Sequence, residues 1–235
     1  MPDPNTYPVY QAYVSNVRDF LFAECEIRRT LNRGLKSGRQ NSVKVQTKIY
    51  ALLYSTFAEA NFTKMIFTPY GFDQNFINQI LNGQNNLQQK WLQCLDLAFH
   101  KFSLSKKGSE VPNKKQELMR IIKSYVIEPS IIRNKIAHGQ FTVALNRSGS
   151  QVNSDITQQI QDLTFPQIMR LFQINKYLVE IVEDLIESPD HAHHANYYSK
   201  FQQLETYIVR SKNWSNESKL QQGNMNKKIP TRKNS

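Results

Sequence analysis

Arg133-Asn134-Lys135-Ile136-Ala137-His138-Gly139-Gln140 is the stretch from which the rest of the chain is read. An arginine, four residues and a histidine set a permanent cation beside a side chain that exchanges protons near neutral pH. An α-helix turns about 100° per residue, so Arg133 and His138 stand about 140° apart around its axis. Asn134 and His138 lie one turn apart on a shared face, which Arg133 flanks with a side chain long enough to reach across. Gly139 supplies the left-handed position that ends a helix. His138 is thereby placed at a helix C-terminus, where the macrodipole favours a positive side chain. The plain alternative is a helix-end histidine that complements the dipole, beside a solvated arginine.

The flanks define the setting. Upstream, Glu128-Pro129 interrupts a helical pattern running from Lys114 to Ile127. The residue before proline avoids the α region, while proline is welcome in a first helical turn. The sequence therefore predicts a kink or break, then a short motif helix from Pro129 to His138. Downstream, Phe141-Thr-Val-Ala-Leu-Asn146 alternates like a strand and Arg147-Ser-Gly-Ser150 carries turn chemistry. With Gln151–Ile156 returning, a small β-hairpin is expected beside the motif. Thr164-Phe-Pro-Gln167 has the capping-box pattern and opens a long apolar helix that Ser188-Pro189 stops.

Further out, apolar spacing predicts a helix over Val9–Arg33, closed by Gly34, and a polar connector over Lys36–Gln40. A second helix, capped by Asn41 or Ser42, runs to Phe67 before Thr68-Pro69. Asp73 is the N-cap of a short helix ending near Gly83; Leu87–Leu104 and Asn196–Trp214 read as further amphipathic helices. The expected fold is all-α, an antiparallel helical bundle with the small hairpin after the motif helix. Residues 1–210 form one domain, and 211–235 form a basic, disordered tail.

Composition narrows the partners. The net charge of +11 suits a phosphate-rich partner such as RNA, and it is also compatible with simple solubility or an anionic membrane surface. Part of the excess is local, because the tail holds six basic side chains and one acidic. No apolar run reaches the roughly 18 residues that a membrane helix needs, and the first residues lack signal-peptide order. Cys25 and Cys94 read as buried free thiols of a reducing compartment, so a cytoplasmic location is expected.

The RNKIAHGQ stretch resembles the signature of the HEPN superfamily (higher eukaryotes and prokaryotes nucleotide-binding domain), Arg, four to six residues, then His, with a polar residue after the Arg. The resemblance extends through Phe141–Asn146, a Gly/Ser turn and a long helix. It implies a metal-independent endoribonuclease, a toxin or antiviral effector, in which a two-fold homodimer brings two motifs together. By that resemblance His138 is the acid/base, Arg133 the phosphate clamp and Asn134 the supporting polar group. The chemistry of the residues fits. An imidazole can take the proton of a ribose 2′-hydroxyl, and a guanidinium can hold the phosphate under attack. DNA lacks that hydroxyl and would be inert.

Lys135 and Gln140 are expected to bind substrate. Glu59, inside the apolar run Phe57-Ala58-Glu59-Ala60, is either a surface carboxylate or the group that orients Arg133. Some HEPN toxins carry a tyrosine two residues after the histidine that an antitoxin modifies. Gln140 stands there in this chain, so that regulation is not expected, although an antitoxin or defence-system partner could still bind. No metal or cofactor is expected. His191-Ala-His-His194 has no further ligand at zinc spacing and reads as exposed, as does the Lys106-Lys107 loop. No P-loop, dinucleotide fingerprint, zinc-protease helix or nucleophile elbow occurs. The alternative function is a non-catalytic HEPN module that binds RNA or protein.

Overall fold

The computed structural model describes residues 6–83, 86–103, 110–187 and 197–221. The described residues form α1 (Tyr7–Lys36), α2 (Gln40–Ile66), α3 (Gln74–Leu81), α4 (Leu87–Ser103) and α5 (Glu110–Ile122). A π-helical turn, Lys123–Ile127, leads into α6 (Glu128–Ala137), followed by α7 (Ser154–Gln161), α8 (Phe165–Glu187) and α9 (Tyr197–Ser211). The chain is all-α, and no described helix is long and apolar enough to cross a membrane.

α1 and α2 are packed together as a helical hairpin. The helix does not stop at Gly34, as its apolar pattern predicts, but one turn later. Gly38 takes φ +68°, its N–H bonds to Leu35 O and that of Arg39 bonds to Gly34 O, which together satisfy the last carbonyls. Gly34 serves a different purpose, because a Cβ there would lie 2.9 Å from Val43 Cγ2. It is the point where the two helices approach. The N-cap of α2 is Arg39, which makes no side-chain capping bond, so neither Asn41 nor Ser42 has the expected role. Asp73 does, accepting a hydrogen bond from Phe76 N at 2.9 Å.

α2 and α8 are the central pair. Around Phe172 the rings of Tyr50, Tyr54 and Phe57 stand with centroids 5.1, 5.3 and 5.0 Å away. Farther along, Asn61 Nδ2 donates to Asn175 Oδ1 at 3.0 Å between fully enclosed side chains, which fixes the register of the two helices. The second half of α8 joins α3, α4, α5 and α9 in the larger core around Trp91, Leu95, Leu118, Leu178 and Leu204. Cys94 is buried there as a free thiol and Cys25 is half-buried. The expected capping box is half made, since Gln167 Oε1 accepts from Thr164 N while the Thr164 hydroxyl is buried with no partner among the described residues.

The expected β-hairpin is reduced to one antiparallel bridge, Leu145 to Val152. Asn153 caps the next helix by accepting from Ile156 N at 3.0 Å, so Ser154–Ile156 enter α7 instead of extending a strand. Residues 215–221, read from sequence as part of the tail, include a helical segment at 216–221. Trp214 just ahead of it packs edge-on against Tyr207. His191–His194, Lys106-Lys107 and the rest of the tail lie outside the described residues.

Candidate functional site

The motif helix owes its placement to Pro129. In a regular helix the N–H of residue 129 would bond the carbonyl of Tyr125, and proline has no N–H. The irregularity expected at Glu128-Pro129 accordingly appears just upstream, as the π-helical turn in which Glu128 N bonds to Lys123 O. The freed carbonyl of Tyr125 accepts instead from the phenol of Tyr54 on α2. Burial pushes Tyr54 far above the ordinary phenol range, so it stays a donor. Arg170 of α8 ties the same turn to α9: its Nη2 donates to the Tyr125 hydroxyl at 3.0 Å and its Nε to Ser211 Oγ, at the end of α9, at 2.9 Å. Sequence reading missed Tyr54 and Arg170. The signal for the first was the donor that Pro129 leaves missing; nothing local marks the second.

The far end of α6 closes as its glycine predicts. His138 is the C-cap and Gly139 adopts φ +83°. Gly139 N bonds to Ile136 O and Gln140 N to Lys135 O, the paired bonds of a left-handed C-terminal cap. Buried Ile136 anchors the helix to a small apolar cluster with Ala144 and Ile160, against which Leu52, Ile132 and Phe141 pack. With Ile136 inward, Asn134 and His138 face outward and are exposed. Ile131 shares that face and is 46% exposed.

Arg133 lies on the flank nearer α2, where its Nη2 forms an ion pair with Glu59 Oε1. Of the two readings of Glu59, the structure places it on the arginine. Arg133 Nε is buried with no partner among the described residues, and its side chain is 24% exposed against 45% for Glu59. Lys135 and Gln140 are engaged within the fold. Lys135 Nζ donates to Leu145 O at 2.6 Å, while Gln140 Oε1 accepts from Leu145 N at 2.7 Å. Both residues expected to contact substrate thus hold Leu145 of the returning loop, one by its C=O and one by its N–H, taking the position where an apolar contact usually completes such a cap.

Lys48 of α2 was not singled out by the sequence, yet its Nζ donates to the carbonyl of Phe141 at 2.6 Å and sits 4.8 Å from that ring's centre. Burial first, and Lys44 second, lower its pKa from the ordinary lysine value. A cavity of about 370 Å³ touches α6 at Glu128, Pro129 and Ile132 and continues past Tyr54, Tyr125 and Arg170. It adjoins the helix's first turn on the side away from Asn134 and His138. The motif face is therefore an open surface in the single chain.

No known protein family, curated protein or solved structure matches this chain.

Proposed function

We propose that this chain is a metal-independent endoribonuclease of the HEPN type, a toxin or antiviral effector that works as a homodimer. The carrying observation is the pairing of a cation oriented through Glu59 with a histidine presented at a glycine-terminated helix end. Arg133 holds the scissile phosphate and stabilises its added charge. One His138 removes the proton from the ribose 2′-hydroxyl. The 2′-oxygen forms a bond to phosphorus, the bond to the 5′-oxygen breaks, and a second His138 supplies that oxygen with its proton. The products carry a 2′,3′-cyclic phosphate and a 5′-hydroxyl. A second copy seated on the face of Ile131, Asn134 and His138 supplies the other imidazole and encloses a surface that one chain leaves open.

The test is cleavage of labelled RNA by wild type and His138→Ala in EDTA, with product ends, oligomeric size and melting recorded. Cutting by wild type alone, with cyclic ends and equal melting, is the expected result. One observation favours a second reading, a non-catalytic HEPN module. Lys135 Nζ and Gln140 Oε1 are engaged with Leu145 and Arg133 with Glu59, and of the expected site residues Asn134 and His138 alone make no side-chain hydrogen bond or ion pair among the described residues. If both proteins bind RNA equally and neither cuts it, including on expression in cells, that reading replaces the first.

A further inference from the structure

The turn between α1 and α2 forms a concave cationic surface whose Arg33, Lys36 and Arg39 form no ion pair among the described residues. A recess of about 570 Å³ is lined by Arg33, Lys36 and Arg39 together with Thr30, Ser37 and Ser42, and no acidic side chain lines it. Arg33 makes one long contact, 3.5 Å to Thr30 Oγ1. Lys36 and Arg39 make no side-chain hydrogen bond or ion pair among the described residues. By contrast, Arg28 and Arg29 one turn earlier are both matched, to Glu24 and Glu26.

Local structure accounts for only part of this charge. Arg33 and Lys36 fall in the last turn of α1, where cations complement the dipole. Arg39 precedes the first turn of α2, where a cation is unfavourable and where no acidic side chain compensates it. Three converging positive groups with hydroxyls between them match a chain of phosphates, which gains by counterion release at each contact. α2 itself runs from the recess toward the motif: about 13 Å along the helix from Arg39, at 1.5 Å per residue, and on the opposite side from the recess-lining Ser42 and Gln46, Lys48 ends on the Phe141 carbonyl beside the motif turn.

We propose that the Arg33, Lys36 and Arg39 recess is a second docking site for the RNA strand, holding its phosphates while the motif acts on a few nucleotides' distance. This rests on the ribonuclease reading and adds where the substrate is gripped. The test uses the full chain carrying His138→Ala, so that RNA is bound without being cut, with and without Arg33→Gln, Lys36→Gln and Arg39→Gln together. Fluorescent single-stranded RNA is titrated across a salt series.

The triple variant is expected to bind about tenfold or more weakly near 0.1 M salt. Its logarithmic salt slope should be shallower by about 2, from roughly 0.7 per single-strand phosphate contact. Arg39→Gln alone, in the connector between the helices, should lower the slope by about 0.7 with unchanged melting, which separates lost binding from lost folding. Equal affinity and slope in all proteins would overturn the docking site and leave the motif reading untouched. Absence of RNA binding by every protein would sink both. Loss of binding to phosphatidylserine vesicles with RNA binding retained would make the recess a membrane contact and also overturn the proposal.

Discussion

Glu59 and Arg133 are 74 residues apart in sequence and joined in space, the carboxylate of α2 meeting the guanidinium of α6. The pair is partly solvated, and such pairs contribute less than about 1 kcal/mol to stability. On the proposed ribonuclease reading its value lies in aim. Glu59→Gln is therefore expected to leave melting nearly unchanged while lowering kcat for RNA cleavage about ten- to a hundredfold, with KM changing less. Equal kcat in variant and wild type would mean that Glu59 does not position the arginine.

Gly139 sets His138. A Cβ at Gly139 would meet nothing within 4 Å, so Gly139→Ala tests the backbone alone. At φ +83° an alanine costs about 1 kcal/mol or more. Melting should fall by that amount and cleavage should fall further, since the imidazole leaves the helix end with the turn. Gly139→Asn, which tolerates the left-handed region, should recover part of both. Calorimetry with parallel cleavage assays measures this, and an alanine variant with wild-type melting would remove the cap from the argument.

What the sequence disclosed and what it hid follow physical lines. Helix existence was legible because apolar spacing and caps such as Asp73 act locally. Gly34 misled because a glycine that ends a helix and one that admits a neighbouring helix look alike until Val43 is in place. The hairpin failed because Asn153 captured Ile156 N for a helix, a local competition that alternation along the chain does not reveal. Asn134 and His138 stand on one helix face as their spacing requires, and Arg133 meets Glu59. Lys135 and Gln140 were drawn into the fold by Leu145, whose C=O and N–H they partner. Tertiary demand of that kind is not encoded at either position alone.

Tyr54 links the core to the motif helix through the Tyr125 carbonyl that Pro129 leaves without a backbone donor. Tyr54→Phe keeps the ring against Phe172 and deletes only the donor. An unpartnered carbonyl in this setting costs about 1–3 kcal/mol. The variant should melt lower by that amount, and amide exchange should quicken across Lys123–Ile127 before it does in α8. Exchange that rises evenly over the molecule would show that the bond holds no particular segment.

Alkaline pH should unfold the protein through groups that burial keeps protonated. Cys94 is raised from 9.0, and Tyr50, Tyr54 and Tyr197 from 10.0, in each case chiefly by desolvation. For Tyr50 the adjacent Glu24 carboxylate adds to the effect. The folded chain holds these protons after the unfolded chain has released them. The stability they lend is complete below about pH 9 and declines as pH rises through the unfolded values toward the folded ones. Lys48 and Lys219 act oppositely: lowered from 10.5 by burial, they add stability as pH climbs from their folded values to the unfolded one. Tyr10 and Tyr207 are raised by burial in the same sense, so two lysines set against six such groups leave a net loss, with each retained proton worth about 1.4 kcal/mol per pH unit. Urea midpoints should be level from pH 7 to about 9 and drop steadily toward 11. Tyr54→Phe should flatten that drop by about one proton. A midpoint that stays level to pH 11 would mean that these phenols ionise as readily in the folded chain as in the unfolded one.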